Sequence, residues 1–292
     1  MGPNRMSTST SSFKRYIRSV ILIAMLVMAL TAISFVSATE ILIRTKVIPN
    51  DIFTWHLERF LSGNSQNVVF GDSHTSYGIR LPGFQNLSYP EEKVPIMEVK
   101  VFNYFADIQP GKVIIQAENY AFAPGQQSVP PRTADLFTTK DSRFHLWMFT
   151  DLHKDFIGDY WKLLFNGGFK NTFTPRPNGG LTRVEKFSWQ DEIYSIRVEQ
   201  VEGSVAGAGR RPGNAPEETR SAGSYHRMLE FLTSRGAEVC LAGMPLPRLL
   251  TNSMREIPEF QLSVDFFETL AAQYRIRYVD LSEAIADTTL FL

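Results

Sequence analysis

Short apolar runs alternate with helix-like segments through most of this chain, and this alternation constrains the fold more than any other feature. Five runs are typical of strands because they are short and rich in β-favouring residues. They lie at 68–70, 84–89, 112–116, 238–243 and 277–280. Helical spacing of apolar residues follows over 94–106, 221–235 and 263–274. Strands that alternate with helices pair in parallel through right-handed crossovers, so the pattern predicts an α/β protein with one parallel sheet.

The amino-terminal part of the chain has the composition of a membrane-spanning helix. Residues 19–39 contain no charged side chain, and a helix of that length spans roughly 30 Å. Four basic residues and no acid precede them: Arg5, Lys14, Arg15 and Arg18. We expect residues 1–18 to be a cytoplasmic tail and the remainder to lie outside the cytoplasm, in the periplasm or at the cell surface. A cleaved signal peptide is the alternative, since Val36-Ser37-Ala38 resembles a cleavage site.

Composition excludes several classes of protein. The formal net charge is zero over 292 residues, so no basic excess points to a nucleic-acid partner. Cys240 is the one cysteine, which excludes a disulfide within the chain, and its apolar surroundings indicate a core residue. No cluster of cysteines and histidines has metal-ligand spacing, so we expect no metal or cofactor.

The first apolar run leads directly into Gly71-Asp72-Ser73-His74. Gly71 permits a sharp bend, and both Asp72 and Ser73 are residues that cap helices. Ligands of parallel sheets bind beyond the carboxyl ends of the strands, where the amino end of a helix offers amide donors. Ser73 is therefore a candidate nucleophile.

The sequence Phe70-Gly71-Asp72-Ser73-His74 resembles the first block of the SGNH (GDSL-like) hydrolase superfamily, in its membrane-anchored type associated with bacterial surface polysaccharide acylation. The resemblance implies a three-layer, flavodoxin-like α/β domain over residues 64–292 with strand order 2-1-3-4-5. It also implies that Ser73 is the nucleophile and that the Ser88 amide and the Asn119 side chain stabilise the oxyanion. The family usually has a glycine in its second block and Gly-x-Asn-Asp in its third, and this chain has neither.

Two further segments flank or interrupt the predicted domain. Residues 40–63 form a connector with a short amphipathic helix, which either lies on the membrane surface or packs on the domain. Residues 120–219 form a long insertion that we expect to shape a binding cleft. Within it, the aromatic-rich stretch 144–165 predicts a helix and the alternation over 187–201 predicts a hairpin strand.

The expected acid–base pair is missing from this sequence. The family takes both residues from an Asp-x-x-His block after the last strand, but no histidine follows residue 280 here. We therefore expect a domain truncated at its carboxyl end, with little or no esterase activity. His74 adjoins Ser73 and is not expected to face its hydroxyl. His153, beside Asp151, is the candidate substitute base.

Two functions remain open at this point. The first is a membrane-tethered extracytoplasmic esterase or O-acyltransferase that acts on surface polysaccharide through an acyl-serine intermediate and is impaired by the missing pair. Its partners would be an acylated glycan or other ester, the lipid bilayer through residues 19–39, and membrane acyl-transfer or polysaccharide-export proteins. The alternative is a non-catalytic envelope protein, truncated or accessory, that binds polysaccharide.

Overall fold

A computed structural model describes most of the strands and helices of this chain. The described residues are 9–49, 52–90, 92–128, 137, 157–167, 173–175, 181–183, 215–245, 256 and 258–281. The chain divides into two compact units, Met1–Val47 with Ser142–Phe169, and Ile48–Asp141 with Lys170–Leu292. Part of the predicted insertion thus groups with the amino-terminal helix.

The helices and strands in chain order have the following bounds. The helices are α1 (Ser9–Leu42), α2 (Ile52–Ser62), α3 (Ser73–Gly78), α4 (Val94–Tyr104), α5 (Ile157–Phe165), α6 (Arg220–Ser234) and α7 (Pro258–Tyr274). The strands are β1 (Val68–Phe70), β2 (Gln85–Asn86), β3 (Lys112–Gln116), β4 (Phe173–Pro175), β5 (Leu181–Arg183), β6 (Glu238–Gly243) and β7 (Arg277–Asp280).

The first unit contains the predicted apolar helix. Helix α1 continues into a π-helical turn at Ile43–Val47, and residues Phe13–Val47 are long and apolar enough to cross a membrane. Helix α5 confirms the end of the predicted aromatic helix, whereas residues 144–156 lie outside the described part of the chain.

The second unit contains a five-stranded sheet in the order β2-β1-β3-β6-β7, and every pairing in it is parallel. This confirms the predicted α/β class and the predicted strand order, which is consistent with a flavodoxin-like fold. Strand β1 is buried along its whole length, as expected for a strand covered on both faces. Strands β4 and β5 form a separate antiparallel pair.

The connector packs on the α/β body, which the sequence left undecided. Four side chains of α2 are buried: Trp55, His56, Leu57 and Phe60. The Phe60 ring lies 5.9 Å from Tyr104 of α4 and 5.1 Å from Phe137, measured between ring centroids. Helix α2 is therefore part of the core of its unit.

Some predicted details differ from the structure. The second strand is assigned only to Gln85–Asn86, although the Leu87 and Tyr89 amides still donate to the Val69 and Gly71 carbonyls at 2.8 and 3.0 Å. In α4 the apolar side chains of Val99 and Phe102, which helical spacing would place toward the core, are only half-buried, while Lys100 is fully buried. The predicted strand at 187–201 lies outside the described residues.

Candidate functional site

Asp72 organises the carboxyl end of β1. Its side chain caps α3 by accepting a hydrogen bond from the His74 amide at 2.9 Å. Its other carboxylate oxygen accepts a hydrogen bond from the Tyr120 hydroxyl. The Asp72 carboxylate is buried, and these two donors hold it in one orientation.

Gln116, at the end of β3, fixes the same turn from the neighbouring strand. Its Oε1 accepts hydrogen bonds from the Asp72 amide at 2.6 Å and from the Thr75 hydroxyl at 3.1 Å. Its Nε2 donates to the Tyr120 hydroxyl at 3.0 Å. A Cβ atom at Gly71 would lie 2.4 Å from Gln116 Oε1, so glycine is required here for close approach.

His74 forms a side-chain pair with Asp72. The distance from His74 Nδ1 to Asp72 Oδ1 is 3.3 Å, and the His74 side chain is 42% exposed. No described residue bonds to its Nε2 atom, which can accept a proton if Nδ1 carries the hydrogen. Burial alone would lower the pKa of His74, but the hydrogen bond to Asp72 and the charges of Glu118 and Asp72 raise it above its ordinary value.

Ser73 is the first residue of α3 and is half-buried. None of the described residues forms a hydrogen bond with its hydroxyl. The predicted substitute base His153 and its neighbour Asp151 lie outside the described residues. The Asp72–His74 pair was not predicted, because His74 was considered only as a base for Ser73. The Asp-x-His spacing at the start of a helix is the signal that indicates it.

Ser88, after β2, has its amide already engaged. The Ser88 amide donates to Asn86 Oδ1 at 3.0 Å, and Asn86 Nδ2 donates to the Thr75 carbonyl at 2.8 Å. The Ser88 hydroxyl is buried without a hydrogen-bond partner. In this arrangement Asn86 links β2 to α3, and the predicted oxyanion amide has an acceptor within the protein.

Asn119 follows β3 and lines a cavity at the same edge of the sheet. The cavity is lined by both polar groups and aromatic rings, among them Glu118, Asn119, Met244, Phe260, Phe267 and Tyr278. Because β2, β1 and β3 are adjacent and parallel, Ser88, Ser73 and Asn119 all follow carboxyl ends at one edge. Ser73 is not among the residues that line this cavity.

Glu118 is a buried carboxyl that sequence analysis did not single out. Its Oε1 accepts a hydrogen bond from the Met244 amide at 3.2 Å. Burial raises its pKa to about 7, the nearby Asp72 charge adds to this effect, and His74 opposes it. Glu118 can therefore exchange a proton near neutral pH, beside the Asp72–His74 pair.

A second buried polar cluster lies around Lys100. Its Nζ donates to Glu92 Oε2 at 2.8 Å, to His56 Nε2 at 2.9 Å and to the Leu87 carbonyl, so all three of its protons are used. Burial raises the Glu92 pKa to about 7, although Lys100 opposes the shift. Burial and the Lys100 charge lower the pKa of His56 well below its ordinary value.

The fold and these contacts define a class: an α/β protein with a five-stranded parallel sheet and a polar cluster at its carboxyl edge. No family model, no curated protein and no solved structure matches the chain. Among the described residues, no group of three or more His, Cys, Asp or Glu could hold a metal ion.

Proposed function

We propose that the chain is a membrane-tethered, extracytoplasmic enzyme of the SGNH-like type that hydrolyses or transfers acyl groups of surface polysaccharide. The Asp72–His74 pair beside Ser73 supports this proposal most strongly. A hydroxyl nucleophile, a proton acceptor and an orienting carboxylate thereby come from three consecutive residues at the edge where parallel sheets bind ligands.

Each of these groups has a role in the proposed reaction. The Ser73 oxygen attacks the ester carbonyl carbon, and its proton passes to His74 Nε2 through one water, since no described residue bonds to the Ser73 hydroxyl directly. Asp72 stabilises the imidazolium, and the Asn119 amide donates to the oxyanion. The leaving alcohol takes the proton from His74. Water, in an esterase, or a glycan hydroxyl, in an acyltransferase, then attacks the acyl-serine; His74 takes the proton of the attacking oxygen and returns it to Ser73 Oγ as the acyl group leaves.

The membrane part of the proposal comes from α1. Its residues 19–39 would hold the body at the outer surface of the membrane, where an acylated glycan is the substrate. Membrane acyl-transfer or polysaccharide-export proteins would be its partners in the same bilayer. This assignment of substrate and partners rests on the analogy with the SGNH type.

The test is hydrolysis of a short-chain aryl ester by the full-length chain in detergent. We expect slow turnover that Ser73→Ala lowers by at least about 10⁴-fold and His74→Gln by about 10²- to 10⁴-fold. Ser76→Ala is the matched control, because the Ser76 hydroxyl is buried in the same helix without a hydrogen-bond partner. An unchanged rate in Ser73→Ala would exclude the acyl-serine mechanism.

Two observations favour a second candidate, a non-catalytic envelope protein that binds polysaccharide. The Ser73 hydroxyl has no base bonded to it among the described residues, and Asn86 occupies the Ser88 amide. If the wild-type chain and Ser73→Ala are equally inert, glycan binding by the wild-type chain becomes the decisive measurement. Binding that survives Ser73→Ala would support this second function.

A further inference from the structure

Helix α5 is amphipathic, and part of its apolar surface is uncovered. Phe165 is 79% exposed and Leu163 is 45% exposed. Around the helix, three half-buried residues lie between Phe165 and Leu163 at the spacing of one helical face: Ile157, Trp161 and Leu164. The side opposite this face is polar.

The polar side of α5 is formed by an exposed ion pair. Lys162 Nζ lies 3.1 Å from Asp159 Oδ1, and both side chains are more than half exposed. Such a pair contributes little to stability, so its value here is to mark the side of the helix that faces water. The nine-residue helix thus has one polar, water-facing side and one apolar side.

Helix α5 contacts α1 near the outer end of the uncharged span. The Trp161 ring stacks on Phe35 with 6.5 Å between centroids and 24° between planes. Phe35 precedes Glu40 by five positions, or about 8 Å along a helix axis. Glu40 pairs with Arg44 at 3.0 Å and marks the polar end of the span. Trp161 therefore lies at the level where hydrocarbon gives way to lipid headgroups.

We propose that α5 is an interfacial helix that lies in the outer headgroup region beside α1, with Leu163 and Phe165 in contact with lipid. This inference rests on the proposed membrane span. Interfacial helices bury their apolar face about 5–10 Å into this boundary, and tryptophan and tyrosine are enriched there.

A lipid surface fits this face better than a protein partner does. The uncovered side chains of α5 continue the exposed apolar surface of α1, where Ile33 and Phe35 are each more than half exposed. A partner that covered Leu163 and Phe165 would also have to enter the bilayer beside Phe35. A second copy of the chain is the remaining occupant, and the experiment distinguishes it.

The experiment places a fluorescent probe on each side of α5 in the full-length chain. In a Cys240→Ser background, Phe165→Cys carries the probe on the apolar side and Asp159→Cys carries it on the polar side. The labelled chains are reconstituted into phosphatidylcholine vesicles whose acyl chains are brominated at shallow or deep positions. We expect the probe at 165 to be quenched most by shallow bromines, and the probe at 159 to be quenched much less.

A second measurement leaves every side chain of α5 unchanged in the reporting variant. The chain has four tryptophans, Trp55, Trp147, Trp161 and Trp189, so a variant that keeps only Trp161 reports the same depth by its own emission. A variant that keeps only Trp55, which is 7% exposed in the other unit, is the matched control. Quenching of Trp161 but not of Trp55 is expected.

Three outcomes would overturn the inference, and they differ from one another. If the chain resists carbonate extraction but neither the probe at 165 nor Trp161 is quenched, the membrane span is supported and α5 does not contact lipid. A chain that carbonate extracts loses the span as well. Emission that changes with the protein-to-lipid ratio and not with bromine identifies a second copy as the occupant.

Discussion

The pairing of His74 with Asp72 sets how this histidine responds to pH. Asp72 Oδ1 accepts from both the amide and the ring of His74, so the carboxylate holds the residue at two points. The positive imidazolium is stabilised by this contact and by Glu118, which is why the pKa lies above its ordinary value despite burial. Because the His74 pKa is raised, this base loses its proton at a higher pH than an ordinary histidine does.

The first prediction concerns this pKa directly. Asp72→Asn removes a charge and weakens the ring hydrogen bond, so the His74 pKa should fall, because burial then outweighs the remaining charge of Glu118. Titration of histidine ring signals by NMR measures the shift, and the signals of His226, which bonds to Tyr274 elsewhere in the body, are the control. An unchanged His74 pKa would show that Asp72 does not control this residue.

Glu118 makes a prediction about stability and pH. Its folded-state pKa of about 7 lies above the ordinary 4.5, so the folded state binds a proton more tightly than the unfolded chain. Stability should therefore fall as pH rises from about 4.5 to 7, by at most about 3 kcal/mol from this group.

Glu118→Gln is the matched variant for that prediction. The amide retains an oxygen that can accept from the Met244 amide but does not ionise. Its urea midpoint should vary less with pH between 5 and 8 than that of the wild-type chain. Equal pH dependence in both chains would assign the effect to other groups, such as Glu92.

At the scale of elements, Lys100 joins three parts of the fold. It lies on α4, and its Nζ donates hydrogen bonds to His56 on α2 and to the Leu87 carbonyl in the loop after β2. Glu92 supplies the opposite charge, with both side chains almost wholly buried. A buried pair of this kind adds little net stability but fixes which elements meet.

We expect Lys100→Met to destabilise the body by about 3–5 kcal/mol near pH 8, because it leaves the Glu92 carboxylate buried without its partner. The loss should be smaller at pH 5.5, where Glu92, with its raised pKa, is protonated and neutral. Urea unfolding at both pH values measures this difference. The control is Lys100→Met with Glu92→Gln, which removes both charges and should recover much of the loss; no recovery would contradict the pairing.

The strands were predictable from sequence, and the buried cluster was not. Apolar runs of three and four residues mark β3 and β6, because parallel strands are buried on both faces. Lys100 lies between Val99 and Val101, and nothing local shows that Glu92 and His56 meet it across 8 and 44 positions. Tertiary contacts that pair charges over such separations leave no periodic signal.

The candidate site also has a part that was predictable from sequence and a part that was not. Ser73, Ser88 and Asn119 follow strand ends, so their placement at one edge of the sheet follows from strand order alone. The engagement of the Ser88 amide by Asn86 depends on one side-chain rotamer and has no counterpart in the sequence pattern. The same is true of Gln116, whose amide joins β1 to the start of α3.

At the scale of the whole molecule, the main prediction concerns the direction in which α1 crosses the membrane. Basic residues precede the span and the first acid, Glu40, follows it, so the positive-inside rule places the amino terminus in the cytoplasm. The α/β body and its polar cluster would then face the outside, where acylated glycans are found. This orientation is needed for the proposed function and can be measured without any activity.

Single cysteines test that orientation in the full-length chain. With Cys240→Ser as the background, Ser234→Cys places an exposed thiol at the end of α6. Ser12→Cys places a cysteine on the amino-terminal side of the span. A membrane-impermeant maleimide added to intact spheroplasts should label Ser234→Cys and leave Ser12→Cys unlabelled until the membrane is opened with detergent. The reverse pattern would place the body in the cytoplasm and remove extracellular glycans as substrates. Labelling of the released body, with a mature chain that begins at Thr39, would replace the anchor with a cleaved signal peptide while retaining export.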